Sequence, residues 1–199
     1  MSTRRLPAPG MAWLAWLAVL LVALLAASPV RPDSAAAGVD QPPPAVRREL
    51  DRVQALLLVR LAGLPDDSGV LVLRDPERVI LRIPARLLFE FDSAALKRDP
   101  AATAALTASV QLLKKRRRLQ AQVVAYSDSI GGASMNQSLS EQRAQAVYDA
   151  LTAAGIADTR LEQRGAGATD AVAGNQTPQG RIENRRIEIE FRPERAAAP

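Results

Sequence analysis

An acidic and a basic side chain flank a glycine turn in the middle of the chain, and residues of these types could bind a small zwitterion. Asp128 precedes Gly131 and Gly132, and Arg143 follows Asp128 by fifteen positions. A carboxylate attracts an ammonium group, whereas a guanidinium donates two parallel hydrogen bonds to a carboxylate. A ligand with an ammonium beside a carboxylate would therefore match the pair. The alternative is a salt bridge between Asp128 and Arg143 with no ligand.

The composition excludes several kinds of catalytic site. The 199 residues include no Cys and no His, which excludes thiolate nucleophiles, disulfides, Ser-His-Asp or Cys-His catalysis and the commonest zinc ligand. Lipoprotein-type acylation of a cysteine is excluded for the same reason. The formal net charge of +5 is too small to indicate nucleic-acid binding. We therefore expect a binding protein that is not an enzyme and needs no cofactor, metal or nucleic acid.

A strand is predicted immediately before the charged pair. Residues 119–126 alternate apolar and polar side chains, which is typical of a strand with one buried face. Asp128 then lies just beyond that strand, in a loop at 127–135 that contains both glycines. The strand would fix the position of the acidic member of the pair.

A helix is predicted to carry the basic member. Ser138 and Glu141 have the spacing of a capping box, and Ser140 is an alternative N-cap residue. Gly155 is expected to end the helix. We expect Arg143 to lie in the first turn of this helix, where free backbone N–H groups also favour a bound carboxylate.

The remaining sequence supplies further strands and a second helix. Before the charged pair, the sequence predicts a hairpin with strands at 70–73 and 79–83 and a strand extension or loop edge at 87–91. A helix follows, capped by Asp99 with Pro100 at its first position, and its buried face is Leu106, Val110 and Leu113. After the pair come a strand at 160–164, a loop containing Gly174, Pro178 and Gly180, and a strand at 186–191. Together with the strand and helix around the charged pair, this order predicts an α/β (α+β) two-layer sandwich. Its helices would pack on one face of a mixed sheet.

The first 44 residues are typical of a leader and a linker. Two arginines precede Met11–Ala27, which contains no charged residue and would span about 26 Å as a helix. Residues 1–27 are therefore predicted to be an uncleaved transmembrane anchor or a signal peptide, with small residues at 35–37 offering a cleavage site. Residues 28–44 form a Pro/Ala-rich linker. The chain beyond it would lie in the periplasm, anchored to the inner membrane, or be periplasmic or outer-membrane-associated after cleavage.

Two other segments each allow two interpretations. The amphipathic helix within 45–69 could form a dimerising coiled coil or pack on its own domain. The basic run Lys114–Arg118 could contact anionic lipid headgroups or a polyanionic wall polymer. Alternatively, the run complements the negative end of the helix dipole and is solvated.

Four blocks of sequence, in this order, resemble the OmpA-like peptidoglycan-binding domain family, of the OmpA, Pal and MotB C-terminal type. The blocks are LLFEFDSAAL (87–96), an SD turn with NQSLSEQRAQAV (127–147), GIADTRLEQRGAG (155–167) and GNQTPQGRIENRRIEIEF (174–191). The resemblance covers about residues 70–192 and leaves 193–199 as a flexible tail. It implies the two-layer sandwich already predicted and non-covalent binding of peptidoglycan.

The resemblance also implies a ligand for the charged pair. The family binds the diaminopimelate of the stem peptide, which ends in an ammonium beside a carboxylate. Asp128 would bind the ammonium, Arg143 would bind the carboxylate, and Asn136 would complete the pocket. Supporting roles fall on Ser127, Gly131, Leu139, Ser140, Asn184, Arg185 and Arg186.

Two details of the motif bear on the strength of binding. Asn184, Arg185 and Arg186 are expected to brace the loop against the pocket helix, or secondarily to contact the ligand. Tyr126 lies where the family often has histidine, so it is expected to stack on the ligand or narrow the entrance. This departure affects the affinity more than the identity of the ligand.

The function that these features favour is a tether between a membrane and the cell wall. Its partners would be peptidoglycan, a membrane through the N-terminal helix, and other envelope proteins or a second copy of the chain. A stator-like component of an ion-driven envelope machine is one alternative, but it needs an ionisable group within the span, and Met11–Ala27 has none. An OmpA-like domain without ligand binding is the other.

Overall fold

The computed structural model describes residues 41–194. The predicted leader at 1–27, most of the predicted linker and residues 195–199 lie outside the described residues. Within residues 41–194, no helix is both long enough and apolar enough to cross a bilayer.

Residues 41–194 form five helices and five strands. In chain order they are α1 (Pro44–Leu61), β1 (Leu71–Arg74), β2 (Val79–Pro84), α2 (Ala85–Leu88), α3 (Pro100–Lys115), β3 (Leu119–Ala125), α4 (Ala133–Ala153), β4 (Leu161–Gly165), α5 (Pro178–Asn184) and β5 (Arg186–Pro193). The strands make one sheet in the order β1-β2-β5-β3-β4. Only β3 and β4 in this sheet are parallel, and the other neighbours are antiparallel. The predicted hairpin and the mixed sheet are thus confirmed.

One face of the sheet and three helices enclose the core. Ile187, Ile189 and Phe191 of β5 are fully buried on this face, where α1, α3 and α4 pack. Helix α1 adds Leu50 and Leu57, both fully buried. Of the two interpretations of this helix, the structure shows packing on its own domain. Because the core residues extend from α1 to β5, the chain from residue 41 onward contains a complete core.

Helix α3 begins as the sequence predicts but buries a different face. The Asp99 carboxylate accepts hydrogen bonds from the backbone N–H groups of Ala101 (2.9 Å) and Ala102 (3.0 Å), and Pro100 takes the first position. Leu113 is fully buried, but the predicted Leu106 and Val110 are only half-buried. Small residues occupy most of the contact instead, namely Ala101, Ala102, Ala105, Ala108 and Ser109. These short side chains allow α3 to approach its neighbours closely.

The opposite face of the sheet carries a layer of paired charges. Glu188 and Glu190 of β5 are almost fully buried because arginine side chains cover them. Arg82 and Arg186 both donate to Glu188 at 2.9 Å, and Arg78 donates to Glu190 at 2.8 Å. The alternation of β5 therefore places apolar residues on the helical face and carboxylates on the other.

Two predicted elements differ in the structure. Residues 87–91 are not a strand extension: Ala85–Leu88 form the short helix α2, and Phe89 then makes one isolated antiparallel bridge with Leu96. The predicted loop containing Pro178 and Gly180 is helix α5. Its N-cap is Thr177, whose hydroxyl accepts a hydrogen bond from the Gly180 N–H at 3.0 Å.

The helix that carries Arg143 starts earlier than predicted. Helix α4 begins at Ala133 after Gly132, with no side-chain cap, so neither Ser138 nor Ser140 is its N-cap. Arg143 is the eleventh residue of α4, three turns past its start, and the predicted contribution of free backbone N–H groups at Arg143 is wrong. The loop before α4 is instead held by side chains, as described below.

Candidate functional site

A cleft of about 560 Å³ lies where β3 ends, bounded by α4, the 89–97 loop and the end of α5. Asp128, Asn136, Leu139, Arg143 and Arg185 of the predicted set line it, together with Ser127. Strand β3 carries Asp128 to the mouth of the cleft, and α4 forms the adjacent wall. The structure thus brings the acidic and basic members of the pair to one concave surface.

Asp128 is almost fully buried, with its side chain 8% exposed. One carboxylate oxygen accepts the backbone N–H of Ile130 at 2.8 Å, and the other forms an ion pair with the guanidinium of Arg185. The carboxylate is therefore held by a turn on one side and by the end of α5 on the other. Because each carboxylate oxygen can accept two hydrogen bonds, acceptor capacity remains for a further donor.

Arg143 is held at the opposite wall of the cleft by its inner half. Its Nε donates to the backbone carbonyl of Ser93 at 2.9 Å, and its guanidinium carbon lies 5.2 Å from the centroid of the Phe89 ring. Among residues 41–194, the two terminal nitrogens make no hydrogen bond. Burial lowers the pKa of Arg143, Asp92 partly offsets this effect, and nearby Arg185 lowers the pKa further. The group is thus a fixed, partly desolvated cation that retains unused donors.

Asn136 holds the glycine loop that joins β3 to α4. Its side-chain amide donates to the carbonyl oxygens of Asp128 (3.1 Å) and Ile130 (3.0 Å). Gly131 in this loop has a φ of 93°, in the left-handed region. Ser127 also donates through its hydroxyl to the Asp128 carbonyl at 3.0 Å. Both amide hydrogens of Asn136 are therefore occupied by the loop.

Ser140 connects α4 to the end of β4. Its hydroxyl donates to the Gln137 carbonyl at 2.8 Å and accepts the backbone N–H of Gly167 at 2.9 Å. The approach of the two elements is so close that a Cβ on Gly165 would lie 2.4 Å from the backbone nitrogen of Glu141. Leu139, by contrast, lies on the cleft side of α4.

Asn184 braces a second loop against the cleft. It is fully buried, and its side-chain oxygen accepts the N–H groups of Val172 (2.8 Å) and Ala173 (3.0 Å). Its amide also donates to the side chain of Asn175 at 2.9 Å, and Asn175 in turn accepts the N–H of Ser129 beside Asp128. Asn184 thus supports the aspartate loop from behind.

Arg186 and Tyr126 lie away from the cleft. The Arg186 guanidinium carbon is 3.7 Å from the centroid of the Tyr126 ring, and the pair lies on the charged face of the sheet beside Glu188. Tyr126 is only 5% exposed, and burial, together with Glu188, raises its pKa. The expectation that Tyr126 stacks on a ligand or narrows the entrance is therefore wrong, because Arg186 covers the ring.

Comparison with known proteins shows the family to which this chain belongs. The model of the OmpA family matches residues 88–185. Outer membrane protein A of Bordetella avium is 33% identical over 138 residues, which cover 65% of this chain and 69% of that protein. The chain belongs to the OmpA family. Asp128, Asn136 and Arg143 all lie inside the matched range.

Two other OmpA-family likenesses cover most of the domain. Probable lipoprotein YiaD of Escherichia coli (strain K12) is 37% identical over 144 residues, which cover 72% of this chain and 63% of that protein. The chain therefore spans less than two thirds of the length of YiaD. The structure of the cell wall anchor of the T6SS from Pseudomonas aeruginosa superposes with a TM-score of 0.60 at 32% identity, covering 69% of this chain and 97% of that one.

Several residues of the OmpA-family cleft were not predicted from the sequence. Phe89 and Ser93, which position Arg143, belong to a block quoted for the resemblance, but nothing in its spacing assigns them a contact. The cleft is also lined by three further basic residues, Arg86, Lys97 and Arg181, and by two further acidic residues, Glu90 and Asp92. The one signal for Arg181 was Thr177-Pro178, a cap followed by a proline that predicts a helix start.

Proposed function

We propose that this OmpA-family domain binds peptidoglycan non-covalently in the cell envelope. The observation that carries the proposal is the pairing of a fixed anion and a fixed cation in one cleft. Arg143 supports it most directly, because the contacts of its Nε and of its guanidinium face orient the group and leave both terminal nitrogens without a partner in residues 41–194. The likeness to a cell wall anchor supports the same class of partner.

The finer proposal is that the cleft recognises the zwitterionic end of diaminopimelate. Arg143 would donate a bidentate pair of hydrogen bonds to the carboxylate, and Asp128 would accept the ammonium on its remaining lone pairs. Asn136, Ser140 and Asn184 would act by holding the loops, since their polar groups already bond the backbone around the cleft. Five basic and three acidic side chains line the cleft, and this balance favours a ligand that carries carboxylates.

We place this binding in a tether between membrane and wall. The predicted leader would supply the membrane attachment, as an inner-membrane anchor or as an export signal, and the domain would lie on the periplasmic side. Relatives named as an outer membrane protein, a probable lipoprotein and a cell wall anchor support an envelope location. None of these relatives is named as an enzyme.

One observation favours a domain that binds no ligand. Arg185 already pairs with Asp128, so the anion is neutralised without any added ammonium. In that alternative, Asp128 would have a purely structural role, and its loss would reduce the stability of the fold with no separate effect on wall binding.

Sedimentation with purified sacculi separates the two alternatives. Residues 41–199 should co-pellet with sacculi, and Asp128→Asn or Arg143→Gln should raise the apparent Kd at least about 30-fold, because each leaves a desolvated group of the ligand unpaired. Asp149→Asn, on the exposed side of α4, is the matched control and should bind like the wild type. Failure of the wild type to co-pellet at moderate salt would contradict wall binding.

The identity of the ligand requires a second comparison. Free meso-diaminopimelate should displace the domain from sacculi, whereas free lysine, which lacks the second amino acid centre, should not. Sacculi whose stem peptides carry lysine should bind at least tenfold more weakly. Equal binding to both types of sacculi would show that the wall is bound through some other group.

A further inference from the structure

Four exposed cations form a cluster at the C-terminal end of α3. Lys114 and Lys115 are the last residues of the helix, and Arg117 and Arg118 follow in the turn before β3. Among residues 41–194, none of the four makes an ion pair, whereas Arg116 between them is half-buried and lies 3.5 Å from Glu49 of α1. We call these four side chains the basic cluster.

The side-chain hydrogen bonds at the C-terminal end of α3 come from Arg160 and not from the basic cluster. Arg160, from the turn before β4, donates to the carbonyl oxygens of Leu113 (2.9 Å), Arg116 (2.8 Å) and Leu119. A single guanidinium thus binds one carbonyl in the last turn of α3 and the carbonyl of its C-cap residue, and it meets the negative end of the helix dipole. Lys114 and Lys115 also lie in the last turn of α3, where they complement the helix dipole, but their side chains make no hydrogen bond within residues 41–194 and stay available to a partner.

The basic cluster and the cleft lie at opposite ends of the domain. Lys97, which lines the cleft, is close to the start of α3, and the sixteen residues of that helix extend about 24 Å to the cluster. The Glu49–Arg116 contact also places the first half of α1 beside the cluster. The described chain therefore begins near the basic end and carries its cleft at the other.

We propose that the basic cluster docks on a membrane surface rich in anionic phospholipids. Four cations without an ion pair at one exposed end complement such a surface. Each Lys or Arg near an anionic membrane raises the binding constant about fivefold. The sequence before residue 41 favours a lipid surface over a wall polymer, because it contains the apolar run Met11–Ala27. Such docking would leave the cleft directed away from the bilayer.

Vesicle co-sedimentation tests this proposal without any peptidoglycan. Residues 41–199, which contain the complete core, should bind vesicles of phosphatidylglycerol mixed with phosphatidylcholine and should not bind phosphatidylcholine alone. Lys114→Gln with Lys115→Gln should weaken binding about 25-fold, and neutralising all four residues should abolish it. Raising the salt from about 0.05 M to 0.5 M should release the wild type, since screening shortens the range of the attraction.

Matched variants keep this result separate from wall binding. Arg98→Gln with Arg164→Gln removes the same charge from exposed positions elsewhere and should leave vesicle binding within about twofold of the wild type. Asp128→Asn should bind vesicles normally, and the four-residue variant should bind sacculi normally. Equal binding of the wild type and the four-residue variant to vesicles would overturn the proposal. Binding to soluble polyphosphate but not to vesicles would overturn it in favour of a wall polymer.

Discussion

At the scale of single residues, Arg143 shows how a binding group can be made from a buried cation. Burial lowers its pKa, yet an arginine remains charged at any physiological pH. Its Nε and the face of its guanidinium are committed to the Ser93 carbonyl and to the Phe89 ring. A ligand carboxylate could pair with the two terminal nitrogens, which make no hydrogen bond within residues 41–194.

Arg185 is the residue whose removal best tests how Asp128 is positioned. Arg185→Gln removes the ion pair and should raise the apparent Kd for sacculi about tenfold, less than Asp128→Asn, because the aspartate loses its orientation but keeps its charge. Because the Arg185 side chain is 35% exposed, solvent screens the pair, which should contribute no more than about 1 kcal/mol to the unfolding free energy. Sedimentation and chemical denaturation measure the two effects.

Two further variants define the result for Arg185. Arg86→Gln removes a cation from the same cleft without touching Asp128, and it should leave the affinity nearly unchanged. Arg185→Lys should recover part of the loss. Tighter binding by Arg185→Gln would mean that Arg185 competes with the ligand instead of positioning its partner.

At the scale of elements, the β1–β2 hairpin depends on one aspartate in its turn. Asp75 accepts the N–H groups of Glu77 and Arg78, both at 2.9 Å, and the Arg78 Nε at 2.7 Å. The Arg78 guanidinium also donates a hydrogen bond to the carboxylate of Glu190 in β5. The turn is therefore joined to the charged face of the sheet.

The stability of this hairpin should depend on acid pH. Burial alone would raise the pKa of Asp75, but the hydrogen bonds from Glu77 and Arg78 outweigh it and hold the pKa below its ordinary value. A lowered pKa stabilises the fold above the unfolded value of about 3.9, and this contribution is lost as the pH falls through the folded pKa. Asp75→Asn should therefore lower the unfolding free energy by up to about 1 kcal/mol at pH 7, and by progressively less as the pH falls through the folded pKa of Asp75.

Urea denaturation at pH 7 and at acid pH measures the difference in unfolding free energy between the wild type and Asp75→Asn. Asp66→Asn, in an exposed turn, serves as the control, and its unfolding free energy should stay close to that of the wild type at every pH. A pH-independent loss of stability in Asp75→Asn would mean that the conformation of the turn, and not the charge of Asp75, stabilises the hairpin.

The sequence predicted most elements but misplaced the helix start that matters for the site. Strand β3 and the start of α3 follow from alternation and from a side-chain cap, and both are local signals. Helix α4 starts at Ala133 after Gly132, without any side-chain cap, while the Ser140 hydroxyl accepts the N–H of Gly167, two residues beyond β4. That contact joins residues far apart in the chain, so a capping pattern could not reveal it. The pair Asp128 and Arg143 was predictable, but the Ser93 and Arg185 contacts depend on tertiary packing.

At the scale of the whole molecule, the folded unit is larger than the family match. The matched range 88–185 omits α1, β1, β2 and β5, yet Leu50, Leu81 and Phe191 from these elements are fully buried in the core. Removing the omitted elements would expose the apolar face of the remaining sheet. The domain therefore begins no later than α1.

Leu57 tests whether α1 belongs to the cooperative unit. Leu57→Ala deletes a fully buried side chain and should lower the unfolding free energy by about 2–5 kcal/mol. The neighbouring Leu58, which is 51% exposed, provides the control, and Leu58→Ala should cost less than about 1 kcal/mol. Thermal unfolding should remain a single transition in both variants. A separate early transition for α1 would contradict its place in the core.

The position of β5 in the sheet constrains when the protein can fold. β5 is the last strand within residues 41–194, but it lies in the middle of the sheet and pairs with both β2 and β3. Until residues 186–193 are available, the β1–β2 hairpin and the β3–β4 pair have no strand to join them. An exported chain would therefore stay unfolded through synthesis and translocation and close its sheet only after its final strand emerges. Loss of the last fourteen residues to a protease or a premature stop codon would leave two unconnected half-sheets.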